Sequence, residues 1–496
     1  MASTSSSSST IGETGVTSVT IKTLDSNQDE YYDKLVQVSG WIKHFRTNPK
    51  IAFLSIHDGS TVSLLQVVME KTKYPVPSET KVGCSCVIEG KFVKSPAKGQ
   101  KYELLGSSII ILGDVYDPET YIFNSKTNIE LEKLREIPHM RIRSKLLYSV
   151  TRIKSALRFG MASFFEQNGY PEVQVPVLTE NECESGANPF IVTTLEPTEQ
   201  HTDYSTDFFG KKVCMTVSGQ LHLEGLVLDG LGKAWTMTTC GRAEPSHTPL
   251  HMAEFWMAEM EMSFVTLEEL MDVNERCIKS TISYVVDKCL SEITLLEERS
   301  GKQLYEKLVK YINTPFGKVT HHMAVKQMLL ALENGSVTIN PDKTPSCPIN
   351  VFKELPTYDG DLSKDHEKWI CSVLFDNIPT FITHYPAQIK AFYMPKVDHY
   401  EDSVERVDNF DCVFPDIGEV IGGSIRIDNT DELVNKMQQM GVNQEPLQWY
   451  VDLRKYGSCP HGGSGIGIDR LMLVITGLTN VRDVVPYPRT YEVCKF

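Results

Sequence analysis

No stretch of this 496-residue chain approaches the ~18 consecutive apolar residues a membrane helix requires, so no transmembrane segment is expected. The N-terminus, MASTSSSSSTIGETG, lacks the apolar run of a secretion signal and the arginines of an organelle transit helix, and it carries Glu13. It reads as a disordered Ser-rich tail over 1–30, and the protein as cytoplasmic. An excess of basic charge is missing too. Lys plus Arg is 49 against 64 for Asp plus Glu, a formal net charge of −15. That argues against a general nucleic-acid coat but not against a local basic groove, because recognition depends on how charge is distributed. None of the 12 cysteines makes a C-x-x-C pair, which argues against a structural zinc and fits a reducing compartment. Two common nucleotide signatures are absent: G-x-x-x-x-G-K-[ST], and a strand–G-x-G-x-x-G–helix unit opening a run of βαβ repeats.

What is present divides the chain. Over 31–115, KLVQVSGWIKHF, IAFLSIHDGS, VSLLQVVME, SCVIEGKFVKS and YELLGSSIIILG alternate or run apolar in short lengths between turns. Five such strands suit a small barrel of the oligonucleotide-binding type, or another small β domain. Residues 116–140 read as a hinge. From 141 to 496 helical and strand patterns mix, an α+β domain with a helical insertion over about 266–335. Ile153, Leu157, Met161, Phe164 and Phe165 share one helical face. EVQVPVLTE reads as a strand whose Pro176 marks an edge or an interface. KAWTMTTCGRAE and HMAEFWMAEMEMSF flank PSHTPLH as an antiparallel hairpin.

Three constellations carry chemistry. In HGGSGIGIDRLML, Gly463, Gly465 and Gly467 alternate, which clears one face of a strand for a flat ligand or another backbone; Asp469 and Arg470 then open a helix. In GRAEPSHTPLHMAEF, Arg242 offers a phosphate fork, Glu244 an acceptor for an exocyclic amine, and Phe255 a stacking ring, with His251 across the loop. In DCVFPDIGEVIGGSIRI, Asp411 and Glu419 suit Mg²⁺, Gly422 and Gly423 allow close backbone approach, and Arg426 points to the same place. Each alone also reads as a packing strand, a surface ion pair or a solvated acid.

Together, in this order, they resemble the signature motifs of class II aminoacyl-tRNA synthetases: GGSGIGIDRL the third, GRAE…HMAEF the second and GYPEVQVPVL the first, with Pro176 as its interface proline. A barrel before the catalytic domain is similar to the aspartyl/asparaginyl/lysyl subclass, and TVSGQLHLE, YPAQIKAFYM and WYVDLRKYGSCPHGG look most like its asparaginyl branch. The resemblance implies an OB-fold anticodon-binding barrel and a catalytic domain with a mainly antiparallel sheet flanked by helices. It implies ATP and Mg²⁺ as cofactors, L-asparagine and tRNA(Asn) as partners, and a homodimer. The implied reaction makes asparaginyl-adenylate and then charges the tRNA.

The same resemblance distributes the roles. Arg242, Glu244, His251, Phe255, Gly422, Ser424, Gly467 and Arg470 would bind ATP, with Phe255 and Arg470 sandwiching adenine. Asp411 and Glu419 would hold Mg²⁺. Glu184, Gln220, Glu224, Glu259, Arg426 and His461 would bind the amino acid; Glu224 would accept from the asparagine NH₂ and Arg426 would donate to its oxygen. Arg46, Phe53, Gln66 and Glu89 would read the anticodon. Aspartyl relatives carry a lysine at the position of Leu223, and a carboxylate substrate without that cation is costly to bury. Three departures from the pattern stand out: Leu250 where an arginine is usual, Asp469 for a glutamate, and Gly241 for an aromatic. The rival readings are an aspartyl enzyme, including a nondiscriminating one, a paralogue that makes asparagine, and a tRNA-binding module without activity.

Overall fold

Alternating burial along five strands builds the N-terminal unit. The strands are β1 (Leu35–Thr47), β2 (Ile51–His57), β3 (Leu65–Glu70), β4 (Ser85–Lys94) and β5 (Tyr102–Gly113). In β2, Ala52, Leu54 and Ile56 point inward while Ile51, Phe53 and Ser55 stay partly exposed, the period of two expected of a half-buried strand. The order is β1-β2-β3-β5-β4, and pairing of β4 with β1 closes the sheet into a barrel. Closure leaves no open edge. The computed structural model describes residues 16–124, 129–180, 188–196, 203–344, 348–397 and 403–496, and the chain divides into two units after Tyr148.

The tail expected over 1–30 is shorter than that. Residues 1–15 lie outside the described residues, but Thr17–Ser18 pairs in parallel with Val36 and Gln37 of β1. Helix α1 (Ile21–Ser26) follows, with the Thr20 hydroxyl accepting from the Thr23 amide as an N-cap. Ile21 and Leu24 are fully buried in the barrel core beside Val36 and Phe92. The serine-rich composition ends at residue 9, and this apolar i, i+3 pair lies beyond it.

The second unit is organised by a seven-stranded sheet. Helix α2 (Lys145–Gln167) buries Ile153, Leu157, Met161, Phe164 and Phe165, as the periodicity predicts. Phe165 stacks on Trp235 with centroids 4.7 Å apart. Gly169, at φ +77°, then reverses the chain. Helix α3 (Gln220–Leu226) precedes the predicted hairpin, β6 (Lys233–Gly241) and β7 (Glu254–Ser263), which is antiparallel along its whole length. Helix α4 (Leu267–Lys288) opens with a Thr266–Glu269 capping box and lies under the sheet, where Ser464 donates to its buried Asn274 at 2.9 Å. Among the elements that follow are β8 (Gly317–Thr320), α5 (Lys364–Trp369), β9 (Thr380–Thr383), β10 (Asn409–Phe414), β11 (Gly418–Ile425), α6 (Gln448–Lys455), β12 (His461–Gly467) and α7 (Ile468–Thr476). The strand order is β6-β7-β12-β11-β10-β9-β8, antiparallel except for β8 with β9.

Two expectations are corrected here. The stretch 266–335 is mostly helical but is not an insertion: α4 backs the sheet, and Gly317–Thr320 is an edge strand of it. EVQVPVLTE is not one strand. Glu172 bridges to Trp235, and only Leu178–Thr179 pairs again, with Cys214 and Met215. Pro176, without an amide hydrogen, sits exposed in the break.

If residues 20–26 are part of the barrel, Leu24→Ala should cost about 3 kcal/mol, as buried leucine truncations do. Denaturant unfolding of the full chain checks this; an unshifted barrel midpoint would return the segment to the tail.

Candidate active site

The alternating glycines of β12 face a specific set of partners. Antiparallel pairing places Gly467 opposite Met257, Gly465 opposite Glu259 and Gly463 opposite Glu261, all on the sheet face away from α4. On the next strand Gly422 stands opposite Gly465. A side chain at Gly463 would run into the Glu261 carboxylate and the Gln220 amide, and one at Gly465 would meet the Met257 methyl at 2.7 Å. The stripe therefore does two jobs. Gly465 and Gly467 open the floor of a cleft, whereas Gly463 makes room for the protein's own buried Glu261–Gln220 pair.

The cleft has two lobes. Glu244, His251, Phe255, Gly467 and Arg470 line the first. Gln220, Asp411, Gly422 and Arg426 line the second, together with Ser218 and Lys390. Arg242 and Glu419 line both, so they stand where the lobes meet. The Arg242 guanidinium lies 5.2 Å from the centre of the Phe255 ring. Arg470 donates to the Glu419 carbonyl at 2.8 Å, with its carboxylate at 3.5 Å. Asp469 ties the start of α7 to Lys154 at 2.6 Å. Burial, then Arg470 and Lys364, hold His251 below its ordinary pKa.

Under the second lobe lies a buried charge network. Arg426 forks onto Glu261 at 3.0 and 3.2 Å and donates to Ser424 at 2.5 Å. Glu224, with no exposed surface, accepts from Tyr450 at 2.8 Å, Arg454 at 2.6 Å and His461 at 3.0 Å. Burial raises the Glu224 pKa, but Arg454, His461 and Arg426 outweigh it and hold the group ionised, below its ordinary range. Glu261 goes the other way: burial, helped by Glu224, raises its pKa despite Arg426. Glu259 accepts from the Ser218 hydroxyl and from the Gly219 amide at 3.0 Å.

Several sequence expectations shift as a result. Glu224, Glu259, Ser424 and His461 are buried behind the cleft surface and line neither lobe. Glu224 Oε2 accepts from Arg454 and His461 and Oε1 from the Tyr450 hydroxyl alone, and with no exposed surface the group does not face the cleft in this structure. Glu184 lies outside the described residues. Leu223 packs in the core against Val175, Val227 and Ala234.

Asp411 does not stand alone: Lys390 donates to it at 2.6 Å, and burial raises its pKa in spite of that cation. Glu419 Oε1 and Asp411 Oδ1 flank Gly422, 3.2 and 3.7 Å from where its Cβ would be. No group of three or more metal-ligating side chains occurs among the described residues. A Mg²⁺ ion needs only one or two carboxylates when phosphate oxygens complete its shell, so this pair fits one. Sequence reading missed Lys390, Glu261, Tyr450, Arg454 and Glu367, the last pushed up to about 8 by burial and then by Glu419 and Asp411. Tyr450 and Arg454 are four apart in WYVDLRK, a helical spacing that puts both on the face toward Glu224.

The barrel carries its own recess. Arg46, Phe53 and Gln66 line it with Thr47 and Asn48. Phe53 pairs across the strands with Arg46 and sits outside the barrel core. Glu89 is not in this recess; it accepts from Gln37 at 3.0 Å, nine residues down β1 from Arg46. The parallel register of Val67 with Leu104 instead brings Glu103 beside Gln66, where Ser95 holds it at 2.8 Å.

Comparison with known proteins fits this geometry. Residues 130–491 match the family model for class II tRNA synthetases (D, K and N), and residues 36–112 match that for the OB-fold nucleic acid binding domain. The chain is 36% identical to the asparagine–tRNA ligase of Cytophaga hutchinsonii, over 96% of this chain and 99% of that one. It is 37% identical to the corresponding ligase of Clostridium perfringens, again over 96% and 99%. Among solved structures, asparaginyl-tRNA synthetase from Pyrococcus horikoshii complexed with asparaginyl-adenylate superposes with a TM-score of 0.77 at 26% identity, covering 93% of this chain and 96% of that one. The Entamoeba histolytica enzyme with the same adenylate gives 0.77 at 26%, covering 96% and 99%.

The buried network generates a stability prediction. Arg454→Met strands an ionised Glu224 and should cost about 3–5 kcal/mol at pH 7. Ionised Glu224 contributes its full stability above its ordinary pKa of 4.5 and loses it as the pH falls from there through about 2, its value in the folded chain. The gap between wild type and variant should therefore narrow in acid. Urea unfolding at pH 7 and about pH 3, inside that window, checks this; a gap independent of pH would assign the loss to packing.

Proposed function

Because the chain belongs to the class II tRNA synthetases of the D, K and N type, we propose that it joins L-asparagine to tRNA(Asn) in two steps. First, a carboxylate oxygen of asparagine attacks the α-phosphorus of ATP, the bond to the bridging oxygen breaks, and pyrophosphate leaves with the electron pair. Then a hydroxyl at the tRNA 3′ end attacks the carbonyl carbon of the adenylate and AMP leaves. The observation that carries this reading is the two-lobed cleft with Arg242 and Glu419 at the junction of its lobes. One lobe suits a nucleotide, the other an amino acid, and the junction is where the two must react.

Each residue then has a task set by its place. Phe255, above the glycine floor, stacks the adenine. Arg242 holds the α-phosphate and neutralises charge as the pentavalent state forms. His251 and Arg470 face the distal phosphates. Asp411 and Glu419 would hold Mg²⁺, which would supply positive charge to offset that of the phosphates. Holding two reactants in line supplies most of the acceleration, since the step needs little acid–base help.

Arg426 donates to the side-chain oxygen of asparagine. Its charge is already matched by Glu261, with Glu224 3.8 Å away. An aspartate carboxylate would meet no spare cation there, and Leu223 supplies none. Glu224 thus acts through Arg426 instead of touching the substrate. In the barrel, Phe53 stacks on an unpaired anticodon base while Arg46 and Gln66 bond its edge or phosphate; neither Glu89 nor the buried Glu103 lines that recess. A homodimer would cover Pro176 with the neighbouring Val177 and Leu178, exposed at 41% and 44%. The ten described cysteines are all free thiols, which supports a cytoplasmic site of action. No helix among the described residues is long and apolar enough to cross a membrane.

ATP–pyrophosphate exchange with asparagine, with aspartate and with no amino acid tests the reading. Exchange should depend on asparagine, and Arg242→Ala should lower it by about 10²–10³-fold, the usual scale for a lost charge-stabilising donor. A near-normal rate in that variant, or exchange with aspartate alone, would overturn the assignment. Phe53→Ala should raise the KM for tRNA by roughly tenfold, the lower end of base–aromatic stacking, without slowing exchange. A parallel loss of exchange would make Phe53 a structural residue.

A further inference from the structure

Leu250 stands on a wall between two recesses. On one side it lines the nucleotide lobe with His251 and Arg470. On the other it lines a second recess with Lys364, Lys368 and Gly418. Lys364 and Glu367 are three apart on α5 and so lie on the same side of that helix. That side packs on β11, because Glu367 Oε2 is 2.5 Å from where a Cβ on Gly418 would sit. The next residue is Glu419, at the junction of the lobes. Lys364 therefore flanks the distal end of the nucleotide lobe, just beyond Leu250.

Three other lysines line that recess, Lys343, Lys353 and Lys368; Lys353 stands on the stretch after the Val351–Phe352 strand and not on α5, and the other two are paired. Lys368 pairs with Asp416 at 3.1 Å and Lys343 with Asp365 at 2.8 Å. Lys364 has no hydrogen bond or ion pair among the described residues, and it is exposed toward the recess. Arg470 and Lys364 are close enough to depress the His251 pKa, and burial with Arg470 depresses that of Lys364 in turn. Like charges gathered on an unfilled wall repel, and an arriving polyanion relieves that repulsion.

We propose that Lys364 is a further substrate-binding residue, one that reaches past Leu250 to the β- and γ-phosphates of ATP and holds the pyrophosphate as it leaves. It supplies from α5 the cation that Leu250 does not supply from the hairpin loop. In the adenylate step the carboxylate oxygen–phosphorus bond forms, the bond to the α–β bridging oxygen breaks, and the electron pair goes to pyrophosphate; Lys364 stabilises that product charge and transfers no proton. The inference rests on the ATP-dependent reaction proposed above.

The test compares full-length wild type, Lys364→Gln, Lys364→Arg and the double variant Lys364→Gln with Leu250→Arg. In asparagine-dependent exchange, Lys364→Gln should raise the KM for ATP and for pyrophosphate by about tenfold, the scale of one charged hydrogen bond. The KM for asparagine should stay within twofold. Lys364→Arg should remain near wild type, and Leu250→Arg should recover most of the loss by returning a cation from the other side of the wall. Unchanged phosphate-side constants in Lys364→Gln would overturn the proposal. So would an equal rise in the asparagine constant that Lys364→Arg fails to rescue, since that marks a structural lysine. Calorimetric binding of ATP without amino acid separates the two readings. Tenfold weaker ATP in Lys364→Gln, from a wild type with no asparagine-dependent exchange, would keep the lysine's role and sink the amino-acid assignment.

Discussion

The pairing of β7 with β12 governs the rest of the catalytic unit. Three glycines on one strand stand in register with Met257, Glu259 and Glu261 on the other. Without that match the two glutamates could not lie flat against the sheet, and Gln220 could not reach Glu261. A slip of β12 by one residue would turn its three glycines to the α4 side and bring Ser464 and Ile466 to the cleft face instead. The register thus decides at once where the cleft floor is open and where carboxylates are buried.

Burying those carboxylates has a cost that the surrounding cations must offset. Glu224 and Glu261 carry the negative charge; Arg426 and Arg454 carry the positive, with His461 and Tyr450 filling the remaining acceptor sites. Removing water from such a set is favourable only when each group is paired. The network is closed on itself, and its outermost member, Arg426, is the one that meets the second lobe. Recognition in that lobe is therefore set by a charge balance several residues deep, not by one donor or acceptor at the surface.

Much of this was legible in the sequence, for identifiable reasons. The barrel strands were readable because alternation is a local signal, and the hairpin because PSHTPLH separates two apolar runs. Arg242, His251, Phe255, Glu419 and Arg470 were readable because motifs preserve spacing. Depth was not. Nothing local distinguishes Glu224, which is enclosed, from Gln220 four residues earlier, which lines the cleft; only the packing of α6 on α3 decides it. Arg454 and Lys390 were invisible as site residues because their partners lie 230 and 21 positions away. The separation of Glu89 from Arg46, Phe53 and Gln66 was hidden for a related reason: it depends on the pairing of Glu89 with Gln37, which joins two distant β-like runs.

The strand order has a consequence for the chain as it is made. β12, the central strand between β7 and β11, is also the last strand of the sheet to be synthesised. Until residue 467 has left the ribosome, the nascent sheet is two separate ladders, each with a bare edge. Such edges invite pairing with other chains. A polypeptide that stops short of β12 therefore has neither a glycine floor nor a joined sheet, and it presents sticky strands that chaperones and proteases recognise. An enzyme whose own products feed translation is assembled so that an incomplete translation of it yields no half-active catalyst.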